Sequence, residues 1–257
     1  MALLLAAWPL ALGTTHPAGP VRSATAPAAA TLAVLNFDNN TGSTDYDAMG
    51  RGLAAMMITD LSTSNDLKVV EREHMQDVLS EQQMQHSAMF DSTTAVKAGK
   101  LLGAQYITAG SLAAADPKLR IDMRVINVET GQIVQAAQVT GPKDKIFDME
   151  QQLADKVLKG MNVTLSPDAE AKLRKQQASD RQMGFDSFMS LSTGIAQMDA
   201  GNYVDAAGSL RPLLMKAPDS RLVELTYQEA KHRAEQAAKE KAKAKVTDKL
   251  RSIFHKP

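Results

Sequence analysis

Apolar and polar positions along the chain sort it into segments of distinct period. Leu32–Phe37 is a short apolar run, as a buried strand requires. Asp38-Asn39-Asn40-Thr41-Gly42 is dense in turn formers. From about Tyr46 to Ser62, Met49, Leu53, Met56, Met57 and Leu61 fall at helical spacing and predict a helix buried on that face. Asp45 or Asp47 can cap its free amides. Leu67–Val70 predicts the next strand, and a strand–helix–strand unit of this length favours a parallel pair. Two further helices are predicted, over about Glu73–Gln85 and Thr93–Leu102. Met75, Val78 and Leu79 point inward from the first, while Ser92 or Thr93 caps the second and Gly103 ends it. Tyr106–Leu112 reads as a strand whose Gly110 implies close packing or a bulge.

The clearest strand is Leu119–Val128. Leu119, Ile121, Met123 and Val125 alternate with Arg120, Asp122 and Arg124, so one face is core and the other wet, as in an antiparallel pair. Glu129-Thr130-Gly131 turns the chain back into Ile133–Val139. Ile146, Met149, Leu153 and Val157 predict a helix that closes the first domain near Asn162. Ser166-Pro167-Asp168 opens an all-helical part, with Ser as cap and Pro at the first position. There Phe188, Leu191, Ile195 and Met198 form one stripe. After a Gly201-Asn202-Tyr203 turn, Ala206, Ala207, Leu210, Leu213 and Leu214 form the facing one. Ala217-Pro218-Asp219 ends that second helix. From Glu229 to Lys256 the chain is rich in Lys, Ala and Glu, with Val246, Leu250, Ile253 and Phe254 near its end. It reads as a long solvated helix, whose basic excess could also touch acidic lipids or polymers.

Residues 1–30 form a separate region. Ala2–Leu12 is apolar but interrupted by Pro9, too short to cross about 30 Å of hydrocarbon. It suits a secretory signal peptide, with small-residue cleavage sites at Ala24-Thr25-Ala26 or Ala28-Ala29-Ala30, although no basic residue precedes it. Thr14–Ala30 is Pro/Ala-rich and expected to be disordered. The expected organisation is therefore 1–30 leader, 31–162 α/β domain of a mixed sheet flanked by helices, 166–228 helical hairpin and 229–257 charged C-terminal helix. Export makes the mature protein periplasmic.

Composition narrows the function. Across 257 residues, 29 basic and 29 acidic side chains cancel, so no global field attracts nucleic acid or an anionic membrane. Without a cysteine, disulfides, thiolate metal sites, a Cys nucleophile and a lipid anchor on an N-terminal cysteine are excluded. The five histidines, His16, His74, His86, His232 and His255, contain no i, i+4 pair for zinc. Glu71-Arg72-Glu73-His74 carries ligand-type residues, but neighbours on a helix diverge, and an exposed helix entrance is the simpler reading. There is no Gly-x-Ser-x-Gly elbow, no P-loop and no Gly-x-Gly-x-x-Gly after a strand. Met49-Gly50-Arg51-Gly52 can offer amides to an anion or allow helix–sheet packing, the latter being the commoner use. Arg51 and Arg72 can grip an anion or form surface salt bridges.

Several short motifs, in order, resemble the curli production assembly/transport component (CsgG) family. They are Leu32-Ala-Val-Leu-Asn-Phe-Asp-Asn-Asn-Thr-Gly42, Gly50-Arg-Gly-Leu53, Asp60-Leu-Ser62, Val69-Val-Glu-Arg72, Lys100-Leu-Leu-Gly-Ala104, Ala109-Gly-Ser111 and Arg124-Val-Ile-Asn-Val-Glu-Thr-Gly131. The resemblance covers about Leu32 to Val157. It implies a periplasmic α/β domain similar to the N-terminal domain of TolB, which in the curli channel forms rings beneath an outer-membrane barrel. The chain departs from that pattern where the two barrel hairpins would lie. Only Leu112–Lys118 and Thr140–Asp144 are available there, against roughly twenty residues for a membrane hairpin. Gly194, Gly201-Asn202-Tyr203, Ala206-Ala207 and Pro218 also resemble one tetratricopeptide unit, with an ordinary helical hairpin as the equal alternative.

Together these features predict a non-enzymatic periplasmic accessory of curli-type assembly or transport. It is expected to self-associate or bind envelope proteins, to need no cofactor, and to reach the outer membrane only through a partner. Tyr203, Leu210 and Leu214 are the candidate partner-binding residues. The alternative is a TolB-like ligand-binding or sensory module, since similar α/β domains precede tetratricopeptide arrays in some regulators.

Overall fold

The computed structural model describes residues 29–81, 91–115 and 117–254. The leader with its cleavage sites, the end of the helix expected to reach Gln85, and His16, His86 and His255 lie outside the described residues. Five strands form one sheet in the order β2-β1-β3-β4-β5. They are β1 (Ala30–Asn40), β2 (Leu67–Val69), β3 (Tyr106–Ala115), β4 (Lys118–Asn127) and β5 (Ile133–Gly141). β1 runs parallel to β2 and β3, joined by helices, and β3-β4-β5 is an antiparallel meander. The alternation in β4 is realised: Leu119, Ile121, Met123 and Val125 are buried, and Arg120 pairs with Asp122 on the outer face at 2.7 Å.

The helix α1 (Met49–Leu61) connects β1 to β2. It is buried almost all round, not on a single face. The reason is that it lies between the sheet and a second helical layer, and its Gly-Leu-Ala-Ala-Met-Met-Ile run has few polar positions to keep wet. The predicted Asp cap is absent. Ser43 caps a short 3-10 turn at Thr44–Tyr46, and Asp47 Oδ1 instead accepts from Asn39 Nδ2 at 2.6 Å. Gly50 faces β1 and Gly52 faces the second layer. A Cβ on Gly50 would collide with the Phe37 carbonyl, and one on Gly52 with Ser192 and the Phe188 ring. The glycine cluster therefore serves packing. Gly50→Ala should cost about 1–3 kcal/mol through overpacking against rigid backbone, read by urea denaturation. A neutral result would show that α1 can retreat from β1.

α2 (Arg72–Glu81) and α3 (Ser92–Leu101) follow. The cap of α3 is Asp91, one residue before the expected Ser92 or Thr93; it accepts from Thr94 N at 2.9 Å. Gly103 ends the helix at φ +61°, a left-handed conformation. Gly110 serves close packing, for a Cβ there would meet the Phe37 ring. The β1–β3 register shifts beside it, between Val34 and Phe37.

The remaining helices are α4 (Ile146–Gly160), α5 (Pro167–Arg181), α6 (Gly184–Asp199), α7 (Tyr203–Lys216) and α8 (Arg221–Phe254). Ser166 caps α5 with Pro167 at its first turn. The break expected between 228 and 229 does not occur, because α8 runs unbroken through it. Its first turns pack through Leu222, Val223 and Ala230, and no Gly or Pro stops the helix afterwards. α6 packs on α1, α4 on β5 and α1, and α7 on both α6 and α8. The buried side chains of the α/β and helical parts join into one core. The helical part is thus a second layer over α1. Each fully buried Leu, Ile or Phe along α6 contributes roughly 1.5–3 kcal/mol to that union.

Among the described residues no helix is long and apolar enough to cross a membrane.

Candidate functional site

The most developed polar architecture lies where β1, α1, α2 and the end of α6 meet. Arg72, the first residue of α2, is 8% exposed and reaches across to the helical layer. Its guanidinium donates to Asp199 on α6 and, at 3.1 Å, to Glu229 on α8. Arg51 on α1 donates to the other Asp199 oxygen at 2.8 Å. Arg233 on α8 continues the network to Glu73 at 3.0 Å and Asp77 at 2.8 Å. Burial pushes the Glu229 carboxyl up, and Arg72 offsets only part of that rise. One Arg72 nitrogen, Nε, is buried without a partner. Arg51 and Arg72, expected to serve an anion or the surface, instead clamp the two layers together. Glu71 and His74 are exposed while Arg72 between them is buried, so the Glu71–His74 stretch does not converge on a site.

Beside this clamp a cavity of about 780 Å³ opens at the carboxyl end of β1. Leu35–Asn39 form its floor, Asp47 and Arg51 one wall, Met75 and Leu79 another, and Ala196 and Asp199 close it. A crevice at strand carboxyl ends is a common ligand position in α/β sheets. Asn36 Oδ1 is buried there without a hydrogen-bond partner. Asn39 organises the adjoining loop, donating to Ser43 O at 2.8 Å and accepting from Thr41 Oγ1 at 2.7 Å.

A second polar group lies between the layers. Asp60 (α1), Glu150 (α4) and Asp180 (α5) are 3%, 2% and 5% exposed. Gln176 and Gln177 donate to the two Asp60 oxygens at 2.6 and 2.7 Å, and Ser220, which caps α8, donates to Asp180 at 2.6 Å. Desolvation raises all three carboxyls, Asp60 to about 7 and Asp180 to about 6. Sequence reasoning missed this group. The available signal was Asp60 itself, an ionisable residue amid the apolar Met56, Met57 and Leu61.

Of the candidate partner residues, Leu210 is fully buried and cannot meet a partner. It packs on Gly194, where a Cβ would sit 2.8 Å from its Cδ2. Tyr203 and Leu214 are partly buried against the core. Exposure in that helix belongs instead to their neighbours Val204 (73%) and Met215 (80%). With Gly208 and Arg211 these recur at i, i+4, i+7 and i+11, on one outward face of α7. Among the described residues no cluster of His, Cys, Asp and Glu is placed to hold a metal ion.

The architecture defines a class: a five-stranded α/β domain with a parallel half, an antiparallel meander and a fused helical layer. Within it, residues 20–120, less than half of the chain, match the family model described as curli production assembly/transport component CsgG. It is 24% identical over 189 residues to putative adenylate cyclase 3 of Rhizobium meliloti, covering 73% of this chain and 30% of that protein. It is 39% identical over 56 residues to the Tol-Pal system protein TolB of Pseudomonas syringae pv. syringae, covering 22% and 13%. The chain thus spans less than a third of either relative. Among solved structures, the LpoB C-terminal domain from Salmonella enterica superposes with a TM-score of 0.38 at 15% identity, over 47% of this chain and 88% of that one.

Proposed function

We propose that this protein is a non-enzymatic periplasmic accessory of curli-type envelope assembly or transport, acting through protein–protein contacts. It reaches the outer membrane through a partner and does not build a pore alone. The observation that carries this reading is how the family domain is closed. β3 and β4 are joined across Asp116 and Pro117 alone, and β5 reaches α4 through 142–145. Those are the positions where barrel hairpins would be inserted, and neither connection holds the roughly twenty residues of a spanning hairpin. In place of a barrel the domain carries a clamped helical layer that presents Val204 and Met215 on the outward face of α7. Self-association and binding of an envelope protein both fit that face.

Val204→Asp with Met215→Asp tests the reading. Both side chains are exposed, so stability should change by less than about 0.5 kcal/mol each. Capture of the partner or of a second copy should weaken about tenfold or more, as at an interface anchor. Pull-down from crosslinked envelope, with thermal unfolding as the folding control, reads both. Unchanged capture by a folded double variant would move the contact surface off α7.

A ligand-binding or sensory role is the second reading. The cavity beside Arg51, with the unpartnered Asn36 oxygen, favours it. The cyclase match also extends beyond the 133 residues of the α/β part (30–162). A bound small molecule would raise the melting temperature in proportion to the logarithm of its concentration. A flat thermal-shift screen would weigh against this role.

A further inference from the structure

The carboxyl group between the layers is tied to four elements. Glu150 on α4 is 2% exposed, and its Oε1 is buried without a hydrogen-bond partner. Asp60 receives the amides of Gln176 and Gln177 from α5, and Asp180 on the same helix receives Ser220 at the start of α8. An ionised carboxylate accepts several hydrogen bonds, and Glu150 has no donor at its buried Oε1. The charges around the group do not relieve it. From α4, Asp155 and Asp148 face the same seam, paired at half-exposed positions with Arg174 and Arg181 of α5. Among the described residues, no ion pair brings a cation to Asp60, Glu150 or Asp180.

We propose that Asp60, Glu150 and Asp180 form a proton-dependent latch that fastens α5 to the α/β layer, closed when the group is protonated and loosened when it ionises. Ionisation would place up to three negative charges in a dry seam with only amide and hydroxyl donors. With 5% exposure or less, they gain substantial hydration when α5 lifts. The apolar α1–α6 contact and the Arg72 clamp lie elsewhere, so loosening is confined to α5 and the Ser220 corner.

The direction follows from proton linkage. The native state holds these protons more tightly than the unfolded chain does. Their contribution to stability is therefore greatest below about pH 4. For Asp60 and Asp180 it declines as pH rises through the window up to about 7.

Hydrogen exchange of the full chain at pH 5, 6, 7 and 8, corrected for intrinsic amide rates, tests the latch. Protection of α5 relative to β3 and β4 should fall at least about tenfold across that range, since each pH unit of linkage for one group is worth up to tenfold. Glu150→Gln keeps the size of the side chain without an ionisable group, and Asp60→Asn removes the charge that Gln176 and Gln177 face. Flattening of the slope in either variant supports the latch, while Asp148→Asn at the exposed rim should keep the full slope. If Glu150→Gln does not fold, Asp60→Asn and the unmodified chain still decide. A pH-independent α5 in the unmodified chain, or an unchanged slope in both buried-site variants, overturns the proposal.

Discussion

Arg72→Ala is expected to destabilise the fold by about 3–5 kcal/mol, the cost of leaving buried charges without their partner. Asp199 would keep only Arg51, and Glu229 would lose its cation in a site whose burial already raises its carboxyl. The comparison that gives this number meaning is Arg51→Ala. Arg51 bonds the same Asp199, yet its side chain is one-third exposed, so its loss should cost about 0–1 kcal/mol. Urea denaturation of the two variants measures the difference. If Arg72→Ala lost under 1 kcal/mol, water would be reaching the clamp and the layers would not be locked there. Replacing Arg72, Asp199 and Glu229 together by apolar residues of similar volume should restore most of the loss, because a buried ionic group gives specificity more than net stability.

Phe188→Ala is expected to cost about 3–5 kcal/mol, from lost transfer energy and the cavity left behind. Phe188 is fully buried at the seam. Its ring meets Phe147 edge-on with centroids 5.8 Å apart and lies tilted against Phe185 at 6.4 Å. Gly52 on α1 leaves the space its ring occupies. Filling that space from the other side should not compensate, since a Cβ at Gly52 also meets Ser192. Thermal unfolding would show whether the layers still melt together. One transition at a lower temperature fits a shared core, whereas two separated transitions would mean that the helical layer is an independent unit. Because Phe188 and Arg72 hold the same layer at different places, a double variant also reports whether their losses add.

Much of the α/β part was legible because its signals are local. The alternation of Leu119, Ile121, Met123 and Val125 against Arg120, Asp122 and Arg124 needs no tertiary information. Gly103 and the Ser166-Pro167 pair act within one turn of the chain. What stayed hidden depends on partners far away in sequence. Arg72 and Asp199 are 127 residues apart, and nothing at either position announces the other. Asp180 and the two glutamines sit on a helix whose one large apolar residue is Leu173, so its inner face carries no extended apolar stripe. The apolar character of Leu210 is what buries it on Gly194. Val204 and Met215 are exposed beside the partly buried Tyr203 and Leu214, and only the helix's orientation separates the two sets. The unbroken α8 shows a similar limit, since a change of composition at Glu229 marks where packing thins and not where the helix ends.

The central claim, that the protein works through contacts made by its helical layer, is tested most directly by a photo-crosslinking amino acid at position 204 in the native envelope. The account predicts a discrete adduct with an envelope protein or with a second copy of this chain. The same probe at exposed Ile133, at the start of the edge strand β5, should not reproduce it. A folded protein that yields no adduct at position 204, while remaining a monomer, would contradict the account.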